Sequence, residues 1–247
     1  MENGTQRNGR SISTHGTHGG GLRTFLASLQ LTDSFFPSGL FTLSHGIESY
    51  AQAGLLTPRS LAGIVADQIR AGVGPSDATA LALAFHSAQQ SDLHSVTIID
   101  CRLTAVKIAR EPRETSIRLG RQLLALARDV FACELARDYF SLVDEREAPG
   151  NHAVALALLK ATLGIPLREA VAGELYSFAA SCVGAAVRMS VIDHRNAQRM
   201  LLLLHPVIET TTDDALARPL MEMGGSVPFV ELMSMRHEVA ELRLFST

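Results

Sequence analysis

The 247-residue chain has no tryptophan, three tyrosines, three cysteines and two lysines. Each shortage excludes something. Sheets draw on aromatic and β-branched residues, whereas this chain is rich in Ala and Leu, which favour helices. Cys101, Cys133 and Cys182 are odd in number and widely spaced, so they form neither a disulfide framework nor a CxxC metal or redox pair. No uninterrupted apolar run approaches the ~18 residues of a membrane span. The first residues lack a basic stretch followed by an apolar one, so no secretory signal is expected. Charged residues make up only 19% of the chain and the net charge is -3, so no global basic field draws it to nucleic acid or an acidic membrane. Apolar residues are 47%, enough for a sizeable core. The expectation is a soluble, reduced, cytoplasmic globular protein.

The basic residues are twenty Arg against two Lys. Nucleotide composition bias explains this, and so does a surface suited to forked hydrogen bonds with carboxylates.

Residues 1–21 hold six Gly among Ser, Thr, Asn and Gln, with Ile12 the one strongly apolar residue. Such a segment buries too little to offset ordering entropy, so it reads as disordered, with the globular part starting near Leu22. From there the apolar spacing is helical. Ala78, Leu81, Ala82, Phe85 and Ala88 share one face behind Ser76 and Asp77 as cap candidates; Val96, Ile99, Leu103 and Val106 follow Ser91-Asp92. Ser95–Asp100 has strand-like propensity but lies inside that helical period. Leu167 to Met189 carries one stripe six turns long, flanked by Gly173, Gly184 and several Ala, which predicts a central helix. Gly54 and Pro58 separate helices near 40–53 and 59–73, and Gly74-Pro75 is expected to end the latter. Pro206 should kink or end a helix over 194–209. The fold predicted is all-α: one compact bundle of about eight to ten helices over 22–225, then a tail over 226–247 beyond Gly224-Gly225. No repeat of solenoid length occurs.

Catalytic and nucleotide motifs are missing: GxxxxGK[ST], a strand-linked GxGxxG, GxSxG and HExxH are all absent. His15 and His18 form an HxxH in the Gly-rich segment without further ligands, and the other His are scattered. The chain is therefore read as a non-enzyme with no catalytic residues, no metal site and no cofactor.

Three segments stand out. Ser34 to Tyr50 contains a Pro-Ser-Gly turn and then Gly46 inside an expected helix, a cost of ~1 kcal/mol unless something must approach the backbone there. Arg110 to Arg128 has five Arg and two Glu, either a solvated helix face or a dock for a partner's carboxylates. Ser234 to Phe245 alternates apolar and charged residues behind a glycine hinge, as a segment awaiting a groove does.

Together and in this order the segments resemble the urease accessory protein F family. The resemblance rests on Leu29-Gln30-Leu31, Phe36-Pro37-Ser38-Gly39, Ser44-His45-Gly46-Ile47-Glu48, Arg113-Glu114-Thr115-Ser116-Ile117-Arg118-Leu119-Gly120, Met235-Arg236-His237-Glu238 and Arg243-Leu244-Phe245. It spans about residues 25–247. Val191-Ile192-Asp193-His194 departs from the family's usual Pro-Leu-Gly-Gln, and Glu241 stands where a tyrosine is common.

The resemblance implies an all-α urease maturation factor: a non-catalytic coupler in nickel insertion into apo-urease. Such a coupler binds accessory protein D (H in some species), recruits the GTPase accessory protein G and forms a homodimer. The partner-binding residues it implies are Pro37, Gly39, Phe41, Ser44, His45, Glu48, Met235, Arg236, His237, Glu238, Arg243, Leu244 and Phe245, with neither nucleic acid nor membrane as a partner. A helical ligand-binding regulator of the TetR kind is the alternative; it needs a basic helix-turn-helix, and residues 22–73 carry only Arg23, Arg59 and Arg70.

Overall fold

The computed structural model describes residues 18–33, 35–37, 39, 42–238 and 245, with residues 18–20 and 237 described by backbone alone. Its helices are α1 (His18–Thr32), α2 (Ile47–Gln52), α3 (Pro58–Asp67), α4 (Thr79–Gln89), α5 (Leu93–Val106), α6 (Arg110–Phe131), α7 (Glu134–Asp144), α8 (His152–Thr162), α9 (Leu167–Arg188), α10 (His194–Ala217) and α11 (Pro228–Glu238). No strand occurs among the described residues. α1 begins four residues ahead of Leu22.

Local chemistry sets the boundaries. Thr57 and Ser60 form a reciprocal capping box at the start of α3, with Pro58 in the first turn where its missing N–H costs nothing. Asp92 and Asp193 accept from the backbone of Ser95 and Asn196 at the starts of α5 and α10.

Two prolines do not break the chain as expected. Residues 68–78 form a π-helical segment that joins α3 to α4 without a gap, and Pro75 lies inside it. A wider helix accommodates the ring. Hydroxyls add bonds to carbonyls just ahead of Pro75: Ser76 Oγ donates to the Gly72 oxygen (2.7 Å) and Thr79 Oγ1 to that of Gly74 (3.0 Å). Ser76 and Asp77 therefore lie within a helical run and cap nothing. Pro206 is likewise carried inside α10, which continues to Ala217.

The core helix is α8. Its residues His152 to Lys160 are all buried, between α4 and α6. An all-round apolar sequence has no stripe, so periodicity could not single it out. Burial of Leu156, Leu158 and Leu159 there contributes about 1.5–3 kcal/mol each. Lys160 is tolerated because its ammonium donates to the Ala170 carbonyl at 2.7 Å; burial still lowers its pKa to about 8. α9 has the length and composition to cross a membrane, yet most of it is buried between α10 and the rest of the bundle, as a core helix is.

One polar knot fixes the loop ahead of α8. The fully buried Asp100 accepts from Tyr139 Oη (2.6 Å), the Gly150 N–H (2.6 Å) and Asn151 Nδ2 (2.7 Å). Burial pushes its carboxyl pKa up, and these bonds pull against that shift. Gly120 of α6 meets the same loop: a methyl group on it would overlap the Gly150 carbonyl.

Candidate functional site: the junction of head and tail segments

The segment after α1 folds back over α6. Phe36 is buried with its ring 6.4 Å from that of Phe131. Gln122 Nε2 donates to the Pro37 carbonyl at 3.0 Å, and Gly39 packs against Leu119. The turn is thus held by α6. Ser181 of α9 then ties down the Leu43 carbonyl.

His45 and Gly46 both adopt left-handed backbone, with φ of 51° and 82°. Gly46 is not inside a helix, as the spacing implied, but precedes α2. Gly tolerates this conformation, and His is among the side chains that enter it more often than most. The missing side chain also matters for packing: Val230 and Ser234 of α11 lie 3.6 and 3.8 Å from where a Cβ would be. Of the two readings of Gly46, ordinary helix packing and a close approach to its backbone, the structure shows the second, and the approaching element is the C-terminal helix.

α2 is buried over Ile47, Glu48, Ser49 and Tyr50, because α9 covers one side and α11 the other. Ser44 is fully buried just ahead of it. The Glu48 carboxylate reaches the chain end: its Oε2 accepts the Phe245 N–H at 3.1 Å, and Arg188 stacks over the Phe245 ring at 4.7 Å. Glu238, ending α11, accepts the Glu111 N–H at 3.1 Å and lies 3.6 Å from Arg110 Nε, so a tail carboxylate complements the N-terminus of α6. Met235 and Arg236 are exposed.

Ser44, His45, Glu48, Glu238 and Phe245 are therefore brought to one junction, while Pro37 and Gly39 sit apart on α6. Phe41, Arg243, Leu244 and the His237 side chain lie outside the described residues. Met233, one of the tail's apolar residues, turns inward and is 2% exposed. Phe229, Leu232 and Met235, spaced three apart, are instead 45, 49 and 41% exposed, an outward stripe of which the tail motifs contain only Met235. The Tyr50 ring supports it edge-on to Phe229 at 5.3 Å.

The basic stretch of α6 is largely engaged within the chain. Arg113 donates to the Lys107 carbonyl, Arg121 pairs with Asp144, and Arg128 with Asp129.

Beneath α11 lies a cavity of about 210 Å³, walled by α6, α9 and the π-helical segment. Among its lining residues are His45, His152 and Glu174. Burial lowers the His45 pKa from 6.5 to about 4, and its ring stacks on Phe178 with centroids 4.5 Å apart. His152 Nδ1 faces Glu174 Oε1 at 3.5 Å. Burial alone would raise the Glu174 pKa, but His152, Lys160 and His45 outweigh it and the net shift is downward. Among the described residues, no three His, Cys, Asp or Glu converge to hold a metal ion.

Fold and junction define a class: an all-helical protein whose distinctive segments build a surface around its C-terminal helix. Comparison with known proteins agrees. The sequence model of the UreF family matches residues 55–205. The urease accessory protein UreF of Trichodesmium erythraeum is 30% identical over 90% of this chain and 96% of its own. That of Paenarthrobacter aurescens is 32% identical over 89 and 96%, and that of Bacillus sp. strain TB-90 is 28% identical over 91 and 99%. The chain belongs to the UreF family of urease accessory proteins.

Proposed function

We propose that this protein is a non-catalytic coupler in the cytoplasmic maturation of urease. It binds accessory protein D (H in some species) and recruits the GTPase accessory protein G, so that nickel enters apo-urease. One observation carries the reading: the outward stripe of Phe229, Leu232 and Met235 on α11, beside a chain end pinned by Glu48. These residues are already half-covered, so burying the remainder against accessory protein D contributes about 1 kcal/mol each before ordering costs. Leu202 and Leu203, 65 and 70% exposed on α10, offer a second apolar patch suited to the homodimer.

The test is Phe229→Ser with Leu232→Ser. The double variant keeps its melting temperature and no longer co-elutes with accessory protein D. Unchanged co-elution overturns the assignment of this face. Recruitment of the GTPase is assigned to Phe41 and Arg243: their separate Ala variants keep accessory protein D and lose the GTPase on size-exclusion chromatography with GTP.

A further inference from the structure

The cavity under α11 is lined by five buried polar atoms without a hydrogen-bond partner: Glu174 Oε2, His152 Nε2, His45 Nε2, Gln68 Nε2 and Ser116 Oγ. Glu174, His152, Gln68 and Ser116 are each less than 9% exposed. An unpaired buried polar atom costs about 1–3 kcal/mol, so five around one void demand an occupant. Their chemistry says which kind. His152 Nδ1 faces Glu174 Oε1 at 3.5 Å, which leaves Glu174 Oε2 as an acceptor turned to the space. The lining also holds Asp77 and Glu231 against a single ammonium, Lys107, which Asp77 engages at 2.8 Å. Lys160 beside Glu174 donates to Ala170, so three carboxylates stand against two ammoniums.

The remaining walls are apolar: Leu43, Val73, Val106, Val227 and Val230. The Phe178 ring adds an aromatic wall of the kind that attracts cations. At ~30 Å³ per water the space holds about seven water-sized groups. We propose that this cavity binds a small organic cation, an ammonium or amidinium head on a short aliphatic body, with Glu174 accepting from the head. Val230, Glu231 and Ser234 of α11 form part of the lining, so an occupant also braces the C-terminal helix.

The test uses the full chain with ¹³C-labelled histidine, n-butylammonium as the probe and n-butanol as its neutral counterpart. n-Butylammonium shifts the His45 and His152 imidazole signals saturably and slows amide exchange in α11. n-Butanol binds about tenfold or more weakly, the margin of one charge-assisted bond, and Glu174→Gln weakens n-butylammonium to the same extent. No saturable shift up to about 10 mM, equal binding of amine and alcohol, or full binding by Glu174→Gln overturns the proposal. If Glu174→Gln does not fold, the comparison of amine with alcohol on the unaltered protein decides alone.

Discussion

Glu48→Gln isolates the bond between the two ends of the chain. Glu48 is 1% exposed, so the isosteric amide keeps its volume and its place in α2. Oε1 accepts from Gln52 Nε2 at 3.2 Å and Oε2 from the Phe245 N–H at 3.1 Å. A hydrogen bond to a carboxylate contributes about 1.5–3 kcal/mol and a neutral one about 0.5–1.5. The substitution therefore costs about 1–1.5 kcal/mol at Phe245, a five- to tenfold shift toward the released chain end. Arg188 over the Phe245 ring is untouched and retains about 0.5–1 kcal/mol, so the end loosens without detaching. Amide hydrogen exchange measured by NMR reads this directly: protection of the Phe245 amide falls five- to tenfold, while amides of α8 and α9 do not change. Unchanged protection at Phe245 refutes the bond's contribution. A uniform fall across α2 shows instead that Glu48 supports the fold rather than the chain end.

Asp100→Ala leaves Tyr139 Oη, the Gly150 N–H and the Asn151 groups unsatisfied in the core and should cost about 3–5 kcal/mol; urea denaturation with a loss under about 1 kcal/mol contradicts the knot. Gly120→Ala gains about 1 kcal/mol of helix propensity but drives a methyl into the Gly150 carbonyl, so a net loss of about 2 kcal/mol or more is expected in a thermal melt. Stability should also follow pH through His45. Its folded pKa of about 4 lies below the unfolded 6.5, so the unfolded chain binds the extra proton; stability is full above about 6.5 and drops by up to about 3 kcal/mol as pH falls toward 4. His45→Asn, which still accepts left-handed backbone, should flatten that limb in urea melts at pH 7 and about 4.5, and an unchanged slope would exclude His45 as its source.

Periodicity identifies α4, α5 and α9, and the Asp92 cap marks where α5 starts. α8 escapes because both its faces are covered, which erases the pattern. Pro75 misleads for a different reason. The rule that proline ends a helix assumes α geometry, and nothing in the local residue pattern announces the wider spiral over 68–78. At the junction, the need for close approach at Gly46 is readable from an unexplained glycine, but the identity of the approaching helix is a long-range fact. The cavity is the least readable feature of all: Gln68, Ser116, His152 and Glu174 come from four helical elements, and each alone looks like an ordinary polar residue.

Where head meets tail, the chain accepts local costs. His45 sits in left-handed backbone, the Glu48 carboxylate is buried, and the Ser44 and Ser49 hydroxyls are buried without partners. Strain and unpaired polar groups of this kind cost on the order of 1–3 kcal/mol each. Apolar residues and an ordinary turn would close the same gap more stably, so packing alone does not account for the choice. The junction does need a glycine so that α11 can press on α2, and a carboxylate so that the chain end has an anchor. With α11 seated on α2, Phe229, Leu232 and Met235 face outward. A surface set by a few such bonds can be moved by a partner for a few kcal/mol, the energetic range in which the proposed coupler would work.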